Sequence, residues 1–323
     1  MLRRLAAHGA QPDDASSVLG KVHFGSPAQR RQDERAPELQ LPLEVLNDRA
    51  PVVDVWLGEG PPRIERYANV EVATDDRVLF GCVQIDEESA GGLRAAARDV
   101  YRSIFAALEH GTCAHPLRFW NYVPDINREQ DGLERYRHFN IGRQEAFLAA
   151  GRPAFAGAPA ACAIGAEGTY LTVYFVAAKD PPLALENPRQ ISAYHYPAEH
   201  GPRSPTFSRA TVATGGKPTL FISGTASVVG HRSQHPGDVT AQTHETFVNL
   251  RALIEAANRG HSAPPFSLER LLYTVYVRHA EHYELVRRQF VAEVAASETA
   301  VFLKGDICRA ELLVEIEATG IGS

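Results

Sequence analysis

The stretch Thr219-Leu220-Phe221-Ile222-Ser223-Gly224-Thr225-Ala226-Ser227, taken with Leu312-Leu313-Val314-Glu315-Ile316-Glu317-Ala318, decides the fold. The first is a β-branched and aromatic run that stops at a glycine, as a strand does where it opens onto a pocket. The second alternates, so a strand there puts Glu315 and Glu317 on one face and Val314 and Ile316 on the other. Two carboxylates on one strand face are costly beside a core unless one stays protonated or finds a partner. Between the two runs the pattern reads as a long amphipathic helix, a strand and a second helix, which is an α+β order.

Outward from these strands the chain echoes itself. Around residues 63–85 it reads Ile64-Glu65-Arg66-Tyr67, then Val72-Ala73-Thr74-Asp75-Asp76, then Val78-Leu79-Phe80-Gly81. Around residues 207–224 it reads Phe207-Ser208-Arg209-Ala210, then Val212-Ala213-Thr214-Gly215-Gly216, then Leu220-Phe221-Ile222-Ser223-Gly224. Both are apolar-patterned strands joined by a tight turn. Leu93, Ala97, Val100, Tyr101, Ile104 and Leu108 form a helical stripe over residues 93–110 that ends at Gly111. Val239, Thr243, Thr246, Phe247, Leu250 and Ile254 do the same over residues 239–258, with Asp238 as N-cap and an end near Gly260. Strands 117–123 and 271–278 follow, then helices 133–149 and 280–296, then closing strands that end with 170–177 and 312–318. The matched spacing argues for duplication. Pro181, Pro182, Pro188, Pro197, Pro202 and Pro205 mark a break between the copies. The expected organisation is an N-terminal arm over 1–50, partly disordered, a first domain over 51–180, a linker over 181–205 and a second domain over 206–323.

Composition excludes several function classes. The chain has 323 residues, a formal net charge of −6 and scattered rather than clustered basic residues, so no nucleic-acid surface is expected. No apolar run approaches membrane-spanning length, and no signal-peptide core follows Met1-Leu2-Arg3-Arg4. Cys82, Cys113, Cys162 and Cys308 lack CxxC spacing, which argues for a reducing cytoplasm and against a disulfide framework or zinc site. His244-Glu245 lacks the second histidine of an HExxH motif, and no glycine-rich phosphate loop is present. No cofactor and no metal are expected; ordinary side chains should carry the chemistry.

The chain resembles the chorismatases, whose halves have the RidA/YjgF-like (chorismate mutase-like) fold. The resemblance spans roughly residues 54–319. It rests on Arg118-Phe119-Trp120-Asn121-Tyr122-Val123-Pro124-Asp125-Ile126-Asn127, Arg135-Tyr136-Arg137-His138-Phe139-Asn140-Ile141-Gly142-Arg143 and Gly201-Pro202-Arg203-Ser204-Pro205. Ser223-Gly224-Thr225-Ala226-Ser227 and Asp306-Ile307-Cys308-Arg309 complete it. It implies two halves, each a mixed β-sheet with two helices on one face, and release of pyruvate from chorismate without a cofactor. RidA-like proteins commonly form trimers; two fused halves leave the oligomeric state open between monomer and homo-trimer.

The resemblance also assigns roles. Glu315 is the catalytic acid, and its counterpart strand Leu171-Thr172-Val173-Tyr174-Phe175 has no carboxylate, so one working pocket per chain is expected, with the first half as its wall. Protonating an enol ether near neutral pH needs a carboxyl of raised pKa, and burial and Glu317 would both raise it. Chorismate is a dianion, and a guanidinium can bind both oxygens of a carboxylate. Arg203 and Arg288 are the expected cations, Tyr194 a donor from the interdomain segment and Arg143 a further cation. Cys308 and Ala226 stand where product choice is set: Cys308 resembles the branch that forms 3-hydroxybenzoate, some members adding 4-hydroxybenzoate. Ala226 resembles the branch that hydrolyses chorismate to a dihydroxycyclohexadiene acid. Two other classes remain open: an imine deaminase, against which stands Ala300 at the place of the deaminase arginine, and a carboxylate-binding protein without catalysis, against which stands Glu315.

Overall fold

The computed structural model describes residues 3–7, 15–25, 36–47, 52–259, 265–294 and 300–322. The chain opens with a four-stranded sheet of β1 (Arg3–Ala7), β2 (Val18–Phe24), β3 (Glu38–Leu41) and β4 (Val52–Leu57), in the order β1-β4-β2-β3. The segment expected to be an arm therefore contributes strands, because Leu19, Val22, Phe24, Leu39 and Leu41 have a core to enter. Residues 1–2, 8–14, 26–35 and 48–50 of that arm lie outside the described residues.

Two rounds of one element order follow. The first runs β5 (Arg63–Tyr67), β6 (Val70–Thr74), β7 (Val78–Asp86), α1 (Leu93–His110) and β8 (His115–Pro124). It continues with the two-residue pair β9 (Glu129–Gln130) and β10 (Leu133–Glu134), then α2 (Arg135–Ala149), β11 (Ala160–Ala166) and β12 (Tyr170–Ala178). The second runs β13 (Leu183–Leu185), β14 (Ala210–Ala213), β15 (Thr219–Ala226), the short hairpin β16 (Val228–Val229) and β17 (Arg232–Ser233), and α3 (Val239–Asn258). It closes with β18 (Leu272–Val277), α4 (Tyr283–Glu293), β19 (Ala300–Lys304), the two-residue β20 (Asp306–Ile307) and β21 (Val314–Ile321). The sheets match strand for strand: β11-β8-β12-β7-β6-β5 in one and β19-β18-β21-β15-β14-β13 in the other. Strand β20 crosses over and pairs with β11, giving the first sheet its seventh strand.

Burial explains the layers. The α1 stripe packs with Phe139 and Phe147 of α2 against the outer face of the first sheet. Phe247 and Leu250 of α3 pack with Val286 and Phe290 of α4 against the second. The inner faces of all three sheets share one core, in which Trp56, Phe80, Trp120, Tyr174, Phe221 and Tyr276 meet. Each half is thus an α+β unit with its helices on one face, as expected.

Several boundaries differ from expectation. The linker is not free chain: β13 takes the sheet position that β5 holds in the first half. Phe207-Ser208-Arg209 consequently is not a strand of the hairpin. Ser208 donates its backbone N–H to the Pro159 carbonyl and accepts the Ser223 hydroxyl, which draws this segment to the seam between the sheets. Helix α1 ends at Gly111 in extended rather than left-handed backbone. Asp238 caps α3 by accepting the Ala241 N–H at 3.0 Å. Gly260 lies outside the described residues, and the helix expected over 280–296 already ends at Glu293, where Val294 turns to extended backbone. In that helix residues 280–282 form a 3₁₀ turn ahead of α4.

Candidate active site

The β15–β21 ladder contains a bulge: Ser223 and Gly224 together oppose Glu317, between the pairs Ile222–Ala318 and Thr225–Ile316. Bulges of this kind re-aim side chains and are common beside active sites. Here the bulge brings Gly224 under the Glu315 carboxyl. A Cβ at Gly224 would collide with the Glu315 Oε1 atom and press on Cys162, so only glycine leaves that carboxyl its place.

The two carboxylates share the inner face of β21 yet have different surroundings. Glu317 is buried and receives hydrogen bonds from the Arg118 guanidinium, from Trp120 Nε1 at 2.9 Å and from the Tyr276 hydroxyl at 3.3 Å. Arg118 is also buried, and its guanidinium lies over the Trp120 ring at 4.6 Å. Glu315 is equally buried but has no hydrogen-bond partner among the described residues. Burial, with the charge of Glu317 adding to it, pushes the Glu315 carboxyl up to about 8 against the pull of Arg118, Arg209 and Arg278. One carboxylate is paired and the other is held as an acid.

Glu315 lines a cavity that opens to solvent. Both halves line it. From the first come Glu134, Tyr136 and Arg137 at the start of α2. From the second come Phe207, Arg209, Gly224, Ala226, Cys308, Arg309 and Leu312, and the interdomain segment adds Gln190, Tyr196 and His200. Arg209 donates to the Ile191 carbonyl at 2.9 Å and the Tyr196 hydroxyl at 2.7 Å. The Tyr196 ring lies between two guanidiniums, Arg209 at 5.5 Å and Arg309 at 5.2 Å. Three arginines, Arg137, Arg209 and Arg309, thus line the same cavity as Glu315.

The loop carrying Cys308 is held from behind. Arg278 donates to the carbonyls of Leu312, Ile307 and Arg309 and to the Asp306 carboxylate, at 2.7 to 2.9 Å. Burial, then the Glu315 charge, pushes the Cys308 thiol up to about 12, so it lines the cavity as a neutral group. Ala226 pairs directly with Glu315 across the ladder.

The structure thus brings Glu315, Cys308 and Ala226 to one cavity, and it does not bring the four other expected residues there. Arg203 is exposed and does not line it. Arg288 is exposed on α4 and its Nε bonds the Glu284 carbonyl one turn earlier. Tyr194 turns its ring against His195, while Tyr196, two residues on, enters the cavity. Arg143 is buried in the first half, its guanidinium over Tyr101, Phe119 and Phe147 at 4.9 to 5.6 Å. Ala300 packs on the helix side of β19, so a side chain there would not reach the cavity, and its identity says nothing about anion binding. Arg137, Arg209 and Arg309 are the cations that sequence reasoning passes over. Two of them stand inside the stretches that carry the family resemblance.

Residues 54–177 match the profile described as "Chorismatase FkbO/Hyg5-like, N-terminal". A 3-hydroxybenzoate synthase of Streptomyces hygroscopicus is 34% identical over 317 residues, covering 95% of this chain and 92% of that one. A chorismatase of Streptomyces rapamycinicus is 40% identical over 276 residues, covering 82% and 80%. The chain belongs to the chorismatase family. A chorismatase crystal structure superposes with a TM-score of 0.90 at 33% identity, covering 99% of this chain and 98% of the other, so this chorismatase shares the whole two-half architecture.

Proposed function

We propose that this enzyme cleaves the enol ether of chorismate, releasing pyruvate and 3-hydroxybenzoate. The observation that carries the reading is Glu315: a buried carboxyl with a pKa near 8 and no hydrogen-bond partner among the described residues, lining a cavity with three arginines. In this reading Glu315 gives its proton to the terminal methylene carbon of the enolpyruvyl group, whose π electrons form the new C–H bond. The resulting oxocarbenium ion is captured by an oxygen nucleophile. Arg209, Arg309 and Arg137 hold the substrate carboxylates, with Tyr196 and Tyr136 as neutral donors. Conversion to pyruvate and hydroxybenzoate consumes no water, and the ring proton lost on aromatisation can return to Glu315. Hydrolysis instead takes up a water and leaves the dihydroxycyclohexadiene acid.

Cys308, Ala226, Phe207 and Leu312 give the cavity an apolar side that favours keeping water from the cation. Among the described residues no helix is long and apolar enough to cross a membrane. The four cysteines are free, in keeping with a reducing cytoplasm. The test is to incubate purified protein with chorismate, measure pyruvate, and resolve the ring product by chromatography. Pyruvate with 3-hydroxybenzoate supports the reading, and pyruvate with only the dihydroxydiene acid replaces the product. No pyruvate above the spontaneous rate, from folded protein, defeats the whole assignment.

A further inference from the structure

At the mouth of the cavity two segments distant in sequence meet. Glu199 and His200 sit on a 3₁₀ turn of the interdomain segment, and His231 sits at the tip of the β16–β17 hairpin. Backbone pairing fixes the approach. Ile191 donates to the Gly230 carbonyl at 2.9 Å, Gly230 donates to the Arg189 carbonyl at 2.9 Å, and Arg309 holds the His231 carbonyl at 2.8 Å. Three donor atoms converge as a result. His200 Nε2 lies 3.0 Å from His231 Nδ1, and one Glu199 oxygen lies 3.3 Å from His231 Nδ1 and 3.6 Å from His200 Nε2.

We propose that Glu199, His200 and His231 form a site for one divalent cation of the zinc class. Donors around a tetrahedral zinc at about 2.0–2.1 Å lie about 3.3 Å from one another, because a tetrahedron's edge is about 1.6 times its radius. The observed triangle has that size, so a cation just off its plane would meet three ligands and keep a fourth position open. Two imidazoles and a carboxylate are a donor set that zinc accepts. The histidines are only about a fifth exposed, at 22% and 21%, and so are largely ordered before binding, whereas Glu199 is 64% exposed and is ordered by the cation. Arg309 lies beside the site, bonded to the His231 carbonyl. The same Arg309 opposes a cation, and Glu199 offsets it. Spacing motifs miss the site because its ligands join across a loop.

His200 lines the cavity, so a cation held there stands in the path of substrate. This consequence rests on the proposed activity, whereas cation binding does not. Titrate tag-free enzyme with zinc chloride by calorimetry, alongside His231→Ala and His231→Asn variants whose melting temperatures are checked first. The expected result is one saturable zinc per wild-type chain, with at least tenfold weaker binding in both variants. Zinc should also inhibit pyruvate release by the wild type and spare His231→Ala. Equal affinity in wild type and variants, or no saturable binding by the wild type, overturns the site. Zinc binding without inhibition keeps the site and removes its effect on turnover. If neither protein releases pyruvate, the binding isotherms still decide.

Discussion

Strands β12 and β21 hold the same place in sheets of the same order, and they do different things. Each lies between the strand that leads into the first helix of its half and the strand that leaves it. On the inner face β12 presents Thr172, Tyr174 and Val176, and Tyr174 stacks on Trp120 at 4.5 Å with an interplanar angle of 11°. On the same face β21 presents Glu315, Glu317 and Thr319. One half supplies apolar packing and the guanidinium of Arg118; the other supplies two carboxylates that could not be buried without it. The difference shows how duplication can free one copy for chemistry. The first half neutralises Glu317, and Glu317 in turn helps keep Glu315 protonated.

The largest way to break the comparison is at the acid. Glu315→Gln should keep the fold and lower turnover by roughly a hundred- to ten-thousand-fold, the usual contribution of general acid catalysis. Thr172→Val in the corresponding strand should leave turnover within about twofold of wild type, since among the described residues the Thr172 side chain only accepts a bond from Gln84. Pyruvate release by both variants decides the matter, and comparable rates in the two would place the chemistry elsewhere. The seam between halves comes next. Arg118→Met leaves Glu317 buried with its charge uncompensated, a change that typically costs about 3–5 kcal/mol. Denaturant unfolding should show that loss, whereas an equal stability would mean that the pair is dispensable.

Residue by residue, legibility follows the range of the physics involved. The period of two in Leu312-Leu313-Val314-Glu315-Ile316-Glu317-Ala318 and the helical stripes of α1 and α3 are local, and they can be read directly. Cys308 and Ala226 are reached through family resemblance. The cations are not local. Arg209 enters the cavity because Ser223 and Pro159 divert its segment, and Arg309 does so because β20 crosses to the other sheet and Arg278 pins the loop after it. Nothing in the spacing of Arg203 or Arg288 separates them from these. The strands of the first 50 residues are missed for a related reason: they are short, and their apolar residues matter only once a core exists to receive them. Tyr196 is the residue most nearly within reach, because Tyr194-His195-Tyr196-Pro197-Ala198-Glu199-His200 packs aromatic and titratable groups into a stretch otherwise read as a linker.

A smaller effect sharpens the contrast between the two carboxylates through pH. Folded Glu315 keeps its proton up to about pH 8, while an unfolded carboxyl loses it near 4.5. Between these values the native state holds more protons than the unfolded one, so stability falls as pH rises. The contribution is fully present below pH 4.5 and is lost as pH rises through about 8. Glu315→Gln has no such group, so its melting temperature should gain on wild type across that window and hold its lead above it. The wild-type kcat/KM should fall over the same upper limb, because the acid form disappears. A melting difference that does not vary with pH would mean that Glu315 ionises normally, and the acid role would go with it.

The smallest effect concerns product rather than rate. Ala226 and Cys308 line the cavity on the side of Glu315, and Ala226 is its cross-strand partner. Aromatisation needs water kept from the oxocarbenium ion so that a ring oxygen can capture it, whereas hydrolysis needs water admitted. A methyl at residue 226 can shift the ring, and removing it should let the ring settle more deeply. Ala226→Gly should therefore raise the share of 3-hydroxybenzoate while total pyruvate stays within a fewfold of wild type. Cys308→Ser puts a hydroxyl in place of a neutral thiol on the same wall. It should move the share toward the dihydroxydiene acid, since a hydroxyl can hold a water where the thiol does so weakly. Chromatography of both variants reads the ratio directly. Running the reactions in oxygen-18 water adds an independent check, because label in the ring hydroxyl of 3-hydroxybenzoate would contradict capture by the substrate's own oxygen. If neither variant changes the ratio, product choice lies with the arginines and Tyr196 that also line the cavity rather than with the strand that carries the acid.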